Sequence, residues 1–230
     1  MAILAMLSVN LSLRLPSNNV VTRVHGSFSH GGVMANLMWG AHGTCASSAQ
    51  KIVDEGFVLA PGRAGNGAYF WTMVNDSPEC RQLAHRLAWR WAMLAERHGS
   101  YRSAEDPSHA VVEVQVSVES ADVLSLDEPK IFFRLWSLLR AKIAEKFGVS
   151  SDEDWKRIKP HEIEPVVHGG VELFVDSLER SLGRKFKVVF KNQSCKGFED
   201  ILMPLLGNHS CFVVRDPKIV VDSKMVREKE

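Results

Sequence analysis

Between His109 and Val118 the chain reads HAVVEVQVSV. Val112, Val114, Val116 and Val118 recur at every second residue, and a period of two puts them on one face of a strand. A strand with one apolar face belongs in a sheet covered by something apolar. The same alternation opens the chain, where Val9, Leu11, Leu13 and Leu15 interleave with Ser8, Asn10, Ser12 and Arg14. VMANLMWG and AYFWTMV predict further strands, as does FKVVF, and CFVVRDPKIVV predicts one or two closing strands.

Helices alternate with these strands. DSPECRQLAHRLAWRWAMLAERHG is the clearest of them, with Asp76 or Ser77 as cap, Pro78 in the first turn and Gly99 at the end. Its expected apolar stripe is Leu83, Leu87, Trp91 and Leu94. A short helix after Ser47 and Ser48 stops at Gly56, and a second amphipathic helix stops at Gly148. Ser151 and Asp154 form a capping signal, GGVELFVDSLERSLG predicts a further helix, and FEDILMPLL a brief helix or turn. Neither repeats nor linker-like stretches interrupt the pattern, so the expectation is one α+β domain over residues 1–230. Within it, residues 120–185 form a helical segment readable as a regulatory insertion or a partner-binding face.

A net charge of +1 demands neither nucleic acid nor membrane as a partner. Cys45, Cys80, Cys195 and Cys211 show no metal-ligand spacing and read as free thiols of a reducing, cytoplasmic compartment; no metal is expected. The apolar start lacks a basic n-region and a cleavage site, and no run is long enough to span a bilayer.

The densest chemistry lies in GAHGT, Gly40–Thr44, and GNGAYFWTMVNDS, Gly65–Ser77. Glycines admit a ligand to the backbone, and His and Tyr offer an imidazole and an aromatic face. A strand ending at His42-Gly43-Thr44, a helix closing in Ile52, Gly56 and Phe57, a loop with Gly65 and Gly67, then Tyr69-Phe70 and Ser77 form an ordered set. Over residues 37–77 this set resembles the ADP-ribosyltransferases of the diphtheria-toxin and poly(ADP-ribose) polymerase type, and Met73 and Val74 fit the polymerase branch.

That resemblance implies a split antiparallel sheet, with added helices, holding NAD as substrate in its cleft. It implies that His42 hydrogen-bonds the adenosine ribose, that the backbone of Gly43 pairs with the nicotinamide amide beside Thr44, that Ser77 adds a hydroxyl and that Tyr69, next to Phe70, stacks on the nicotinamide ring. Gly67 and Arg63 belong to the loop, where Arg63 offers a charge to the pyrophosphate. An amide is well recognised by a backbone donor–acceptor pair, and an electron-poor pyridinium by an aromatic face. The family's late-strand glutamate, which supports the oxocarbenium-like transition state, aligns with Cys211 here. Glu199 and Asp200 offer nearby carboxylates, and Cys80 stands where the family has a second stacking tyrosine.

Each residue also has a plain structural reading: His42 at a strand end, Tyr69 in the core, Ser77 as a helix cap, Cys211 as a small buried hydrophobe, Glu199 as a solvated residue. Arg81, Arg86, Arg90, Arg97 and Arg102, with Trp89 and Trp91 among them, read as a solvated helix face or as a groove for an acidic acceptor or RNA strand. The leading expectation is single-unit transfer of ADP-ribose from NAD to a macromolecular acceptor, protein or nucleic acid, as in a toxin or effector. The alternatives are a module that binds NAD or ADP-ribose without turnover and, last, an RNA 2′-phosphotransferase.

Overall fold

The computed structural model describes residues 35–195, 198 and 208–227. The expected strand at residues 8–15 and the FEDILMPLL segment, apart from Phe198, lie outside them, as do Glu199 and Asp200. Among these described residues seven strands form one sheet: β1 (Ala35–Cys45), β2 (Ala68–Met73), β3 (His109–Glu119), β4 (Val123–Ser125), β5 (Val188–Gln193), β6 (His209–Val214) and β7 (Val220–Val226). Their order across the sheet is β4-β5-β6-β2-β1-β3-β7. Every pairing is antiparallel except β4 with β5, so the sheet is mixed rather than purely antiparallel. The closing segment makes two strands, because a 3₁₀ turn at Pro217–Ile219 carries the chain from β6 to the opposite edge.

Among the described residues five helices accompany the sheet: α1 (Ala46–Glu55), α2 (Pro78–Arg97), α3 (Pro129–Phe147), α4 (Asp152–Arg157) and α5 (Pro160–Leu182). Most ends follow local chemistry. Ser77 caps α2 with Pro78 next to it, Ser151 and Asp154 form a reciprocal capping box on α4, and Gly148 and Gly183 close α3 and α5 in the left-handed region. Two ends differ from expectation. Cys45 rather than a serine is the N-cap of α1, and α5 begins at Pro160. In α5 the first turn accommodates Pro160, and Pro165 stands inside the helix, so its apolar periodicity is interrupted early and reads cleanly only from Gly169.

Alternation divides the core into two faces. Phe70, Phe212, Val112, Val114, Val116, Val188 and Val214 pack with Ala46 and Ala49 of α1 on one face. On the other, Ala41, Trp71, Val111 and Cys211 meet α2, while Val189 and Val213 meet Val171, Val175 and Leu178 of α5. The 120–185 segment therefore supplies part of the core cover.

The buried stripe of α2 is Ala84, Leu87, Ala88 and Ala92; of the expected stripe Leu87 is buried, while Leu83, Trp91 and Leu94 are not. Leu83 and Trp91 are 39% and 45% exposed. The helix turns its small side chains to the sheet because its backbone lies so close. A Cβ on Gly43 of β1 would stand 1.7 Å from the Ala88 carbonyl oxygen.

Leu87→Ala is expected to lower unfolding free energy by roughly 2–5 kcal/mol in urea denaturation. Trp91→Ala should cost under about 1 kcal/mol. Equal losses would contradict this orientation of α2.

Candidate functional site

β1 and β2 pair at only three positions: Trp39 with Met73, Gly40 with Thr72, and Ala41 with Trp71. Beyond Ala41, β1 continues on β3 alone through Cys45, and β2 before Trp71 continues on β6 alone. The sheet thus parts between His42–Cys45 and Ala68–Phe70. At the inner end of the parting, His42 Nδ1 lies 2.9 Å from the Tyr69 carbonyl oxygen. At the outer end, Ala60 and Gly67 exchange backbone hydrogen bonds of 3.2 and 2.9 Å.

The ladder decides which backbone groups face this opening. The Ala46 N–H donates to the Ser108 carbonyl on the β3 side. Backbone groups alternate between neighbours along an antiparallel strand. Counting back from Ala46 turns the N–H and C=O of Cys45 and Gly43 toward the β2 side, into the parting. Gly43 therefore presents a donor and an acceptor there, while its missing side chain makes room for α2.

A carbonyl oxygen only accepts, so the His42–Tyr69 bond requires a proton on Nδ1. Nε2 is then a lone-pair acceptor. Burial holds the imidazole pKa below its ordinary 6.5, the hydrogen bond to Tyr69 opposing that shift. Phe57 and Phe70 flank the ring at centroid distances of 5.6 and 5.9 Å. Phe70 in turn stacks on Phe212, so it is a wall of the core as well as of the site.

Tyr69 points to the opposite face, and its hydroxyl organises the glycine loop. It donates to the Gly65 carbonyl at 2.6 Å and accepts from the Ala64 N–H at 2.9 Å. Burial raises its pKa, so it remains a phenol. Glu172 of α5 accepts from the Asn66 N–H at 2.7 Å and pairs with Arg215 at 2.9 Å. Gly65 has φ +93°, and a Cβ on Gly67 would lie 2.3 Å from Val213 Cγ1. The loop is held at both sides.

The remaining expected residues are dispersed. Thr44 is buried, its hydroxyl beside the Tyr101 phenol. Ser77 accepts from the Cys80 N–H at 3.3 Å as a cap. It stands eleven residues before Ala88, hence about 16 Å along α2 from the carbonyl that covers Gly43. Arg63 is held by Glu164 of α5 at 2.9 Å. Cys211 is 2% exposed, and burial pushes its thiol up to about 12. It is paired across the strands with Trp71 and Lys191.

Lys191 has no counterpart among the residues expected from sequence. It donates to the Arg63 carbonyl at 3.1 Å, and burial lowers its pKa despite the opposing charge of Asp127. Only strand pairing places this amine beside Cys211. Among the described residues, no cluster of three or more His, Cys, Asp or Glu could hold a metal ion, and no helix is long and apolar enough to cross a membrane.

No family model, curated protein or solved structure matches the chain.

Gly43→Ala should destabilise the fold by about 3 kcal/mol or more, because the added methyl meets helix backbone rather than a movable side chain. The pH dependence of His42 has a definite sign. A lowered folded pKa means that the unfolded chain takes up the proton first as pH falls. His42 thus favours folding most above about pH 6.5, and that contribution is lost at lower pH. Denaturation midpoints between pH 7.5 and about 5 should fall less steeply for His42→Gln than for the wild type; parallel curves would show that the imidazole titrates normally.

Proposed function

We propose that the parting between β1 and β2 is an NAD cleft and that the protein transfers single ADP-ribose units to a macromolecular acceptor. The observation that carries this reading is the Gly43 backbone pair turned toward the opening beside an imidazole whose tautomer the Tyr69 carbonyl sets. A primary carboxamide offers N–H donors and a carbonyl acceptor, the complement of one residue's C=O and N–H. The Nε2 lone pair of His42 is suited to accept from a ribose hydroxyl, and the Phe57 and Phe70 rings limit water around it. The opening supports reading the sheet as the split sheet of the ADP-ribosyltransferase resemblance.

In this reaction the bond between the ribose anomeric carbon and the nicotinamide nitrogen breaks. Nicotinamide leaves neutral with the bonding electrons, and the acceptor heteroatom bonds to the same carbon and releases its proton. Held amide and ribose groups orient the bond for cleavage. Gly43 and His42 would do the holding, while Tyr69 keeps the glycine loop in place beside them.

One observation favours a second reading, binding without turnover. The residue aligned with the family's glutamate is a buried, protonated thiol with an amine, not a carboxylate, beside it. A thiol gives a developing cation little electrostatic help, and a nearby ammonium opposes it. A transferase built this way would be slow and unsuited to chain elongation.

The test is nicotinamide release from NAD, with and without cell lysate as acceptor, alongside thermal unfolding with NAD. The transferase reading expects release that falls about tenfold or more in His42→Ala, the scale of one lost hydrogen bond to a buried group. NAD-induced stabilisation with no release would establish the binding module. Neither release nor stabilisation would sink both readings.

A further inference from the structure

The flank of α2 that the cleft does not use borders a groove of about 570 Å³. Arg81, His85, Arg86, Trp89, Arg90 and Phe198 line it, and among the described residues no aspartate or glutamate does. A space of this size accommodates a nucleotide-sized ligand.

The charge in the groove is unbalanced. Arg81 and His85 are engaged with Glu113, at 3.1 and 2.7 Å, and Lys224 also reaches that carboxylate at 2.8 Å. One carboxylate therefore answers three basic groups. Among the described residues no carboxylate pairs with Arg86 or Arg90. The Arg90 Nε is buried without an acceptor, and its charge acts on Cys195, a thiol that burial keeps protonated. A buried donor without an acceptor is costly and invites an anionic partner. Arg86 and Arg90 stand four residues apart, on one side of the helix and about 6 Å from each other.

The groove also offers flat apolar surface. Trp89 lines it between the two arginines, and the Arg86 guanidinium lies 5.1 Å over the Phe198 ring. An acidic peptide would satisfy the guanidiniums but has no need of ring faces. Single-stranded nucleic acid uses both, with phosphates on arginines and bases stacked on aromatic rings. From two arginines without a carboxylate partner, set beside aromatic rings, we infer that this groove binds single-stranded nucleic acid. The assignment is independent of the NAD cleft, since Arg86, Trp89 and Arg90 stand outside the set that faces the parting.

The test is fluorescence anisotropy of a labelled oligothymidylate of about twelve nucleotides, with an oligouridylate and a glutamate-rich peptide of similar length in parallel. No NAD is added, so failure of the cleft reading leaves the result unaffected. Salt-sensitive binding of either oligonucleotide, and weaker binding of the peptide, is expected. The doubly substituted Arg86→Gln/Arg90→Gln protein should bind about tenfold or more weakly, with a salt slope shallower by about 1.4 for two lost phosphate contacts. Trp89→Ala should weaken binding without changing that slope. Peptide binding as strong as the oligonucleotides, absence of oligonucleotide binding, or binding indifferent to the arginine pair would overturn the inference.

Discussion

The close seating of α2 on β1 governs much of the structure. With the Ala88 carbonyl where a Gly43 side chain would be, only small residues fit between helix and sheet. Ala84, Ala88 and Ala92 meet that demand, and Leu87 fills the remaining depth. The larger residues are rotated away in consequence. Trp91 and Leu83 face solvent, and Trp89, Arg86 and Arg90 border the flanking groove. Where α2 covers the face of β1, the edge of β1 beyond Ala41 is not paired with β2. One steric constraint thus accounts for the glycine, the alanine stripe and the position of the arginines.

A second set of contacts holds the parting in shape. The His42 imidazole takes the Tyr69 carbonyl that a paired strand would otherwise claim, so the opening leaves no orphaned acceptor at that point. On the other face the Tyr69 hydroxyl, Glu172 and Lys191 fasten the loop from three directions. Arg215 balances Glu172 and is itself mostly covered, with a side chain 13% exposed. The Glu172, Arg215 and Lys191 bonds are charge-assisted and lie in partly buried surroundings, where geometry is better kept than on an open surface.

The electrostatics of the two faces differ in kind. Around Cys211 burial suppresses ionisation: the thiol stays protonated and the neighbouring Lys191 loses a proton more readily than a solvated lysine. Around Glu113 the charges persist, because three basic groups compensate one carboxylate and hold its pKa below the usual range against the opposing effect of burial. The first environment lacks the negative charge that glycosidic cleavage would use. The second is over-compensated, and its surplus extends along α2 into the groove.

Local chemistry was readable residue by residue. The valines of β3, the Ser77–Pro78 start of α2, the Ser151–Asp154 box and the glycine stops are short-range devices, set by period, cap and turn preferences within a few positions. The strand–helix–loop–strand order around His42 and Tyr69 was readable for the same reason. Facts about pairing were not. That β2 leaves β1 after three residue pairs, that Gly43 turns its backbone to the gap, that Ala88 and not the start of α2 covers Gly43 and that Lys191 lies beside Cys211 depend on partners distant in the chain. The α2 stripe shows the distinction most clearly. Period alone allowed the large apolar residues to face inward, but the distance between helix and sheet selected the alanines. Sequence by itself determined where elements begin, end and alternate, because those choices involve neighbours. Tertiary structure decided which faces meet and which backbone groups stay open, because close packing is a property of surfaces brought together.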